Sequence, residues 1–230
     1  MAERGVGKAL RAALAGEKRE TPKPTGEALV LNEHRRSVFE FLCRKPCASP
    51  SAVARGLGLS PNAVAWHVQK LQEGGYLARA LTDAAFPAGL IPSTDAPLFA
   101  LLLQESHRAV MLAVLNRPGL SQEEGAQDAG LSRQTVARAF EELAAAQLVS
   151  VVRDGRSNRY FPTDLLARRR DANAKRALAF SDAVLNRIAA EGIEAQVLRR
   201  TPTELLIRLG DRPQAPVLHL RTDPYQTLLG

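Results

Sequence analysis

Gly58-Leu59-Ser60-Pro61-Asn62-Ala63-Val64-Ala65-Trp66-His67-Val68-Gln69-Lys70-Leu71 is the stretch on which the reading of this chain turns. Gly58 stands where a preceding helix must end, because helix C-termini commonly need a residue at positive φ. Ser60 offers an N-cap oxygen to the next helix, and Pro61 suits its first position, where a missing N–H costs nothing. Val64, Val68 and Leu71 then recur on one helical face, and Gly74-Gly75 stops the helix. Working backwards, Pro50 and Ser51 open a short helix carrying Val53, Ala54 and Leu57. Before it, Val38, Phe41 and Leu42 make a further apolar face that ends near Pro46. The segment thus predicts three helices, the last two joined by a tight glycine turn.

The pattern occurs twice. Displacing the chain by 72 positions aligns residues 28–77 with 100–149 without a gap. Ala28–Glu33 falls on Ala100–Glu105, Arg36 and Val38 on Arg108 and Val110, and Pro46 on Pro118. Gly58-Leu59-Ser60 falls on Gly130-Leu131-Ser132, Val64-Ala65 on Val136-Ala137, and Leu71 on Leu143. Chance matches a few alanines and leucines; it does not align the Gly-Leu-Ser, the proline and the helical apolar positions in one frame. The second copy places Val110, Val114 and Leu115 on its first helix, Ala126 and Ala129 on its second, and Val136, Phe140 and Leu143 on its third.

A short helix, a glycine turn and a longer capped helix form the helix-turn-helix signature. The run Gly58–Leu71, followed by Gly75-Tyr76-Leu77, resembles the ArsR/MarR-type winged-helix transcription regulators of archaea and bacteria. The second copy resembles them at Leu131-Ser132-Arg133-Gln134-Thr135-Val136 and in the hairpin that follows. The resemblance covers about residues 28–92 and 100–163 and implies a fold that is mainly α with small β wings. The expected organisation is a flexible basic arm (1–27), two tandem winged helix-turn-helix units (28–92 and 98–163), a linker or dimerisation helix (164–191) and a small three-stranded appendage (192–230). Together the last two make a small α+β C-terminal extension.

In such a unit the third helix enters the major groove and its N-terminal half meets base edges. Once the inward positions are removed, the first copy offers Asn62, Trp66, Gln69 and Lys70, with Ala63 and Ala65. The second offers Arg133, Gln134, Thr135 and Arg138, with Ala137. Arginine pairs bidentately with guanine and glutamine with adenine, so the second copy is the better-equipped base reader. Trp66 has two readings, contact with a thymine methyl or the sugar-phosphate wall, and packing against the wing or the other repeat; packing is the favoured one. His67 reads as a histidine hydrogen-bonded within its domain rather than a ligand.

The wings differ. Leu148–Val152 and Arg159–Pro162 read as strands around Arg153-Asp154-Gly155-Arg156-Ser157-Asn158, a turn centred on Asp-Gly. The hairpin raises Arg153, Arg156, Asn158 and Arg159 toward phosphates or the minor groove. The matching stretch of the first copy, Leu77 to Pro92, holds Arg79 as its one cation and Ala84-Ala85-Phe86-Pro87-Ala88 in place of a basic tip. That composition suits packing.

The charge distribution agrees. Of the net +7, residues 1–23 hold six Lys/Arg against three Glu, and residues 153–176 hold eight against three Asp; the remainder is near balance. Two concentrated surpluses fit a polyanionic partner better than a uniform excess does. Lys18, Arg19 and Lys23 place part of it in the arm, where a helical turn around Val6–Leu14 is compatible with the composition.

The last segment predicts a helix from Asp164 to Glu191, capped by Thr163, carrying Arg168-Arg169-Arg170 and closed by Gly192. Strand-like runs follow at Ala195–Arg199, Leu205–Leu209 and Val217–Arg221. This extension can dimerise the chain, take an effector or dock a protein.

Cys43 and Cys47 are too few for a disulfide framework and have no Asp/His cluster beside them, so packing is favoured over a metal site or a thiol switch. No P-loop, dinucleotide fingerprint or hydrolase motif is present, so neither enzyme activity nor a cofactor is expected. No apolar run reaches membrane-spanning length and the N-terminus has no secretory core, so a cytoplasmic, nucleoid-associated protein is expected. The sequence therefore points to a regulator that reads double-stranded DNA, mainly through its second repeat. The alternatives are a winged-helix scaffold within a transcription or chromosome-organising complex, and non-specific chromatin architecture.

Overall fold

The computed structural model describes residues 28–80 and 84–228. The expected basic arm and its helical turn lie outside the described residues. In the first repeat, α1 (Glu33–Arg44), α2 (Pro50–Leu57) and α3 (Pro61–Glu73) are followed by the hairpin β1 (Leu77–Arg79) and β2 (Ala85–Pro87). A short helix α4 (Ala96–Leu102) leads to α5 (Glu105–Asn116), the two-residue strand β3 (Leu120–Ser121), α6 (Gln122–Ala129) and α7 (Arg133–Ala145). Strands β4 (Val149–Asp154) and β5 (Ser157–Pro162) complete a three-stranded antiparallel sheet in the order β3-β5-β4.

The caps foreseen in the sequence set the helix limits. Gly58 and Gly130 take φ of 67° and 64°. Ser60 Oγ accepts the Ala63 N–H at 3.2 Å, and Ser132 Oγ accepts the Thr135 N–H at 3.2 Å. Satisfying these otherwise orphaned donors fixes where α3 and α7 begin. Val64, Leu71, Val136, Phe140 and Leu143 are buried as expected. Leu115 is not: it is 40% exposed, while Met111 is buried in its stead. Leu115 follows Met111 by four residues and lies at the outer edge of the stripe that Val110, Met111 and Val114 bury.

The C-terminal extension begins with α8 (Leu165–Ala190), whose Thr163 Oγ1 accepts the Leu165 N–H at 3.3 Å. Strands β6 (Ala195–Thr201), β7 (Glu204–Leu209) and β8 (Val217–Arg221) form an antiparallel sheet, and α9 (Pro224–Thr227) follows. β6 runs two residues further than the sequence pattern indicates, so Pro202-Thr203 alone makes the turn. The inner face of the sheet, Leu205, Ile207, Leu209, Leu218 and Leu220, packs with Phe180, Val184 and Ile188 in one core.

This unit docks on the first repeat. The His219 N–H donates to Glu40 Oε1 at 2.8 Å, Thr227 Oγ1 donates to the Arg44 carbonyl at 2.6 Å, and the Leu29 N–H donates to Glu191 Oε2 at 2.7 Å. Phe39 of α1 meets Phe180 of α8 at 6.3 Å between ring centroids. The segment before α4 is held as well. Asp95, 2% exposed, takes the hydroxyl hydrogen bond of Tyr225 and an ion pair from Arg169 at 3.2 Å. A carboxylate this buried is tolerable because both its oxygens are paired. Among the described residues, no single helix is long and apolar enough to cross a membrane.

Candidate nucleic-acid interface

The second repeat assembles a polar face from three elements. Arg133, Gln134 and Thr135 open α7 and are exposed, and Arg138 lies one turn on, also exposed. The wing stands beside them because Tyr160 of β5 stacks on Phe140 of α7, with centroids 3.7 Å apart and planes 8° from parallel. Gly125 makes room for this: an added Cβ would come within 3.1 Å of Phe140 and Leu120. Between the start of α7, the start of α6 and the wing lies an open cavity of about 370 Å³, bordered by Ser121, Gln122, Glu123, Arg133, Arg156, Ser157 and Asn158.

The hairpin tip departs from the sequence reading. Asp154 pairs with Ser157, so the strands are longer and the loop is Gly155-Arg156 rather than one centred on Asp-Gly. Gly155 has φ of 60° and Arg156 does not share a positive φ, which fits a turn with glycine in its first central position. Arg156 therefore sits at the apex, while Arg153 and Asn158 face each other across the ladder. Neither Arg153 nor Arg156 has a carboxylate partner among the described residues; Arg153 Nε donates to the Gly155 carbonyl at 3.5 Å.

Other cations expected on this face have carboxylate partners. Arg159 Nη1 lies 2.9 Å from Glu124 Oε2 and its Nε 3.2 Å from Asp154 Oδ2. Arg159 thus ties β5 to the start of α6. Glu124 is itself the third residue of a capping box: it accepts the Ser121 N–H at 2.7 Å while its own N–H donates to Ser121 Oγ at 3.3 Å. Those Ser121 hydrogen bonds, with help from Arg117 and Arg159, hold the Glu124 carboxyl below its ordinary range. Arg133 is ion-paired with Glu123, and Arg138 with Glu142 at 2.7 Å. The mid-chain basic run is likewise spent: Arg168 pairs with Asp164, Arg169 with Asp95 and Arg170 with Asp223. The acidic partners lie up to tens of residues away in sequence, which is why local composition exaggerates the free charge.

The first repeat presents a different face. Asn62, Trp66 and Gln69 of α3 point outward, with Trp66 49% exposed. Trp66 is therefore not packed into a wing; the Arg35 guanidinium lies 5.7 Å from its ring centroid. Lys70 pairs with Glu73 at 2.7 Å, and Gln69 Nε2 donates to the other oxygen of the same carboxylate at 3.0 Å. In the first wing Leu77, Ala85, Phe86, Leu90 and Ile91 are all buried, which fits a hairpin spent on packing. His67 is buried, with its ring against His34 and Trp66 and its Nδ1 lacking a hydrogen-bond partner among the described residues. Burial and the nearby His34 and Arg35 push its pKa down.

Burial raises the Cys43 thiol well above its ordinary value and lifts Cys47 to about 12. Thiols in that state make poor nucleophiles, and among the described residues no cluster of His, Cys, Asp and Glu could hold a metal ion.

Residues 30–78 match a family model described as a helix-turn-helix domain. This part of the chain is a helix-turn-helix domain. With the β1–β2 hairpin it is a winged one, as the ArsR/MarR-type resemblance implies. No curated protein matches the chain. Among solved structures, the PcaV transcriptional regulator of Streptomyces coelicolor, in complex with its natural ligand, is 29% identical over 35% of this chain, with a TM-score of 0.27. The chain covers 59% of that regulator. A MarR transcriptional regulator of Methanosarcina mazei Go1 is 17% identical over 58% of this chain and 82% of its own, with a TM-score of 0.27. ScpB of Mycobacterium tuberculosis is 17% identical over 59% of this chain and 93% of its own, with a TM-score of 0.23.

Proposed function

We propose that the protein is a transcription regulator that binds double-stranded DNA, with its second winged helix-turn-helix as the base reader. The observation that carries this is the joint exposure of Arg133, Gln134, Thr135 and Arg138 on α7 beside a wing whose apex is Arg156. A recognition helix with donors at its N-terminal half suits the major groove, and the arginines of an adjoining hairpin suit phosphate or minor groove. Arg133 and Gln134 are the side chains with bidentate partners on guanine and adenine. Arg153 and Arg156 supply phosphate neutralisation, with Arg159 positioning the strand that carries them.

The test is duplex binding measured across salt concentrations. Arg156→Ala is expected to reduce the salt slope by about one, and Arg159→Ala to weaken binding by loosening the wing rather than by removing one phosphate contact. Absence of micromolar binding to mixed duplex at moderate salt would reject the reading.

A second role has support in the first repeat, whose outward helix carries the exposed Trp66 and whose wing is buried. That face suits packing or a protein partner better than phosphate. Self-association is assigned to the C-terminal unit, where β6 is an open sheet edge with Val197 and Leu198 exposed. Sedimentation analysis of a Val197→Lys variant checks this: a dimer that becomes a monomer supports the edge as interface.

A further inference from the structure

We propose that Glu123 is a specificity-determining residue of the second repeat, selecting cytosine beside a guanine read by Arg133. The inference rests on the duplex-DNA reading above. Glu123 is the second residue of α6 and Arg133 the first of α7, and the turn between the helices brings their side chains into an ion pair at the rim of the interhelical cavity. Gln122 Nε2 donates to the Arg133 carbonyl at 3.1 Å, which fixes the two helix starts against each other.

The pair is not needed for the fold. Its side chains are 71% and 72% exposed, and exposed pairs contribute little to stability. The capping of α6 falls to Glu124, not to Glu123. A carboxylate here is also adverse to general affinity, since it faces the region a phosphate-binding surface would keep positive. The dipole of α6 favours an acid in its first turn, and a hydrogen bond accepted from DNA would give this one a further use on that face. An ionised carboxylate is acceptor-only. In the major groove it is repelled by guanine O6/N7 and thymine O4 and matched by the cytosine N4 amino group. Arg133 makes the complementary match to guanine. Side by side, the guanidinium and carboxylate read neighbouring base pairs as donor and acceptor. The first repeat has Ser51 and Pro61 at the equivalent positions and cannot make the pair.

The experiment is selection of binding sites from random duplexes by the full chain and by Glu123→Gln, Glu123→Ala and Arg133→Ala, with circular dichroism melting to confirm folding. The intact chain should enrich guanine and, at a neighbouring position, cytosine. Glu123→Gln should move that second preference toward adenine, and Glu123→Ala should erase it, with a loss of discrimination on the order of tenfold or more. A uniform rise in affinity of both Glu123 variants, with the consensus unchanged, overturns the proposal and leaves Glu123 as a counter-charge for Arg133. An unchanged consensus and affinity in those variants, with Arg133→Ala impaired, also overturns it while the duplex-binding reading stands. No duplex binding by the intact chain overturns both.

Discussion

Trp66 and Arg138 occupy equivalent places in the two repeats, 72 residues apart, and their surroundings differ. In the first unit the indole lies over Arg35 of α1. In the second the matching α5 residue is His107, whose Nε2 lies 3.0 Å from Glu142, the same carboxylate that holds Arg138. The first wing is short and buried; the second extends six residues per strand into solvent. What the copies share is the frame: Ser caps, glycine turns and the inward faces of α3 and α7. Even the turn before the second helix is kept, with the Gly119 N–H donating to the Tyr160 carbonyl at 2.8 Å and the Cys47 N–H to the Ala85 carbonyl at 2.9 Å. Cys47 holds φ of 66° where its counterpart is a glycine at 86°. Backbone-determining positions tolerate little change, whereas outward positions are free to specialise.

The largest expected effect separates the two units energetically. Phe180→Ala, which removes the ring against Phe39, should cost about 3–5 kcal/mol. Hydrogen exchange should show protection lost over 28–80 and 165–228 and retained over 105–162. Equal loss in both repeats would mean that they unfold as one. Next, Arg133→Ala should weaken specific duplex binding by about 1–3 kcal/mol, while Asn62→Ala in the first repeat leaves it unchanged; the reverse would exchange the roles of the repeats. Arg156→Ala should follow, with a salt slope lower by about one, read from binding isotherms.

A smaller effect concerns pH. The Glu124 carboxyl titrates below its ordinary 4.5 because of its Ser121 hydrogen bonds and the nearby Arg117 and Arg159. Its contribution to holding the wing is complete above that ordinary value and is lost as pH falls below it through the lowered folded value. Amide shifts of β5 should therefore move in acid, and Glu124→Gln should show the acid-like shifts already at neutral pH. Smallest of all, the single tryptophan gives a local reporter: Trp66 emission should stay unchanged as duplex binds the second repeat. A large change would place the first recognition helix on the DNA.

Helix limits were legible in the sequence because caps and glycine turns act locally. Ser60, Pro61, Gly58 and their counterparts state their roles within a few residues. The hairpin tip was misplaced because Asp-Gly is a turn signal whose register depends on cross-strand pairing. The pairing of Arg159 was hidden for a related reason: its partner Glu124 lies 35 positions away. The short strand β3, the helix α9 and the docking of the C-terminal unit were invisible, since contacts such as Glu40 with His219 join residues 179 positions apart. Glu123 itself gave no local sign, as an acid in a helix's first turn is already explained by the dipole.

The Asp95 clamp has a mechanical consequence. The second repeat begins just after the segment held by Asp95 and Tyr225, and it ends at Thr163, two residues before α8. Both of its ends are thus pinned to a single body made of the first repeat and the C-terminal unit. A module hung from two pins swings about one axis, whereas a module on a single linker tumbles. Less orientational freedom is surrendered when it meets a rigid partner. If the second repeat is the DNA reader, the first repeat and the C-terminal unit together serve as the frame that holds it.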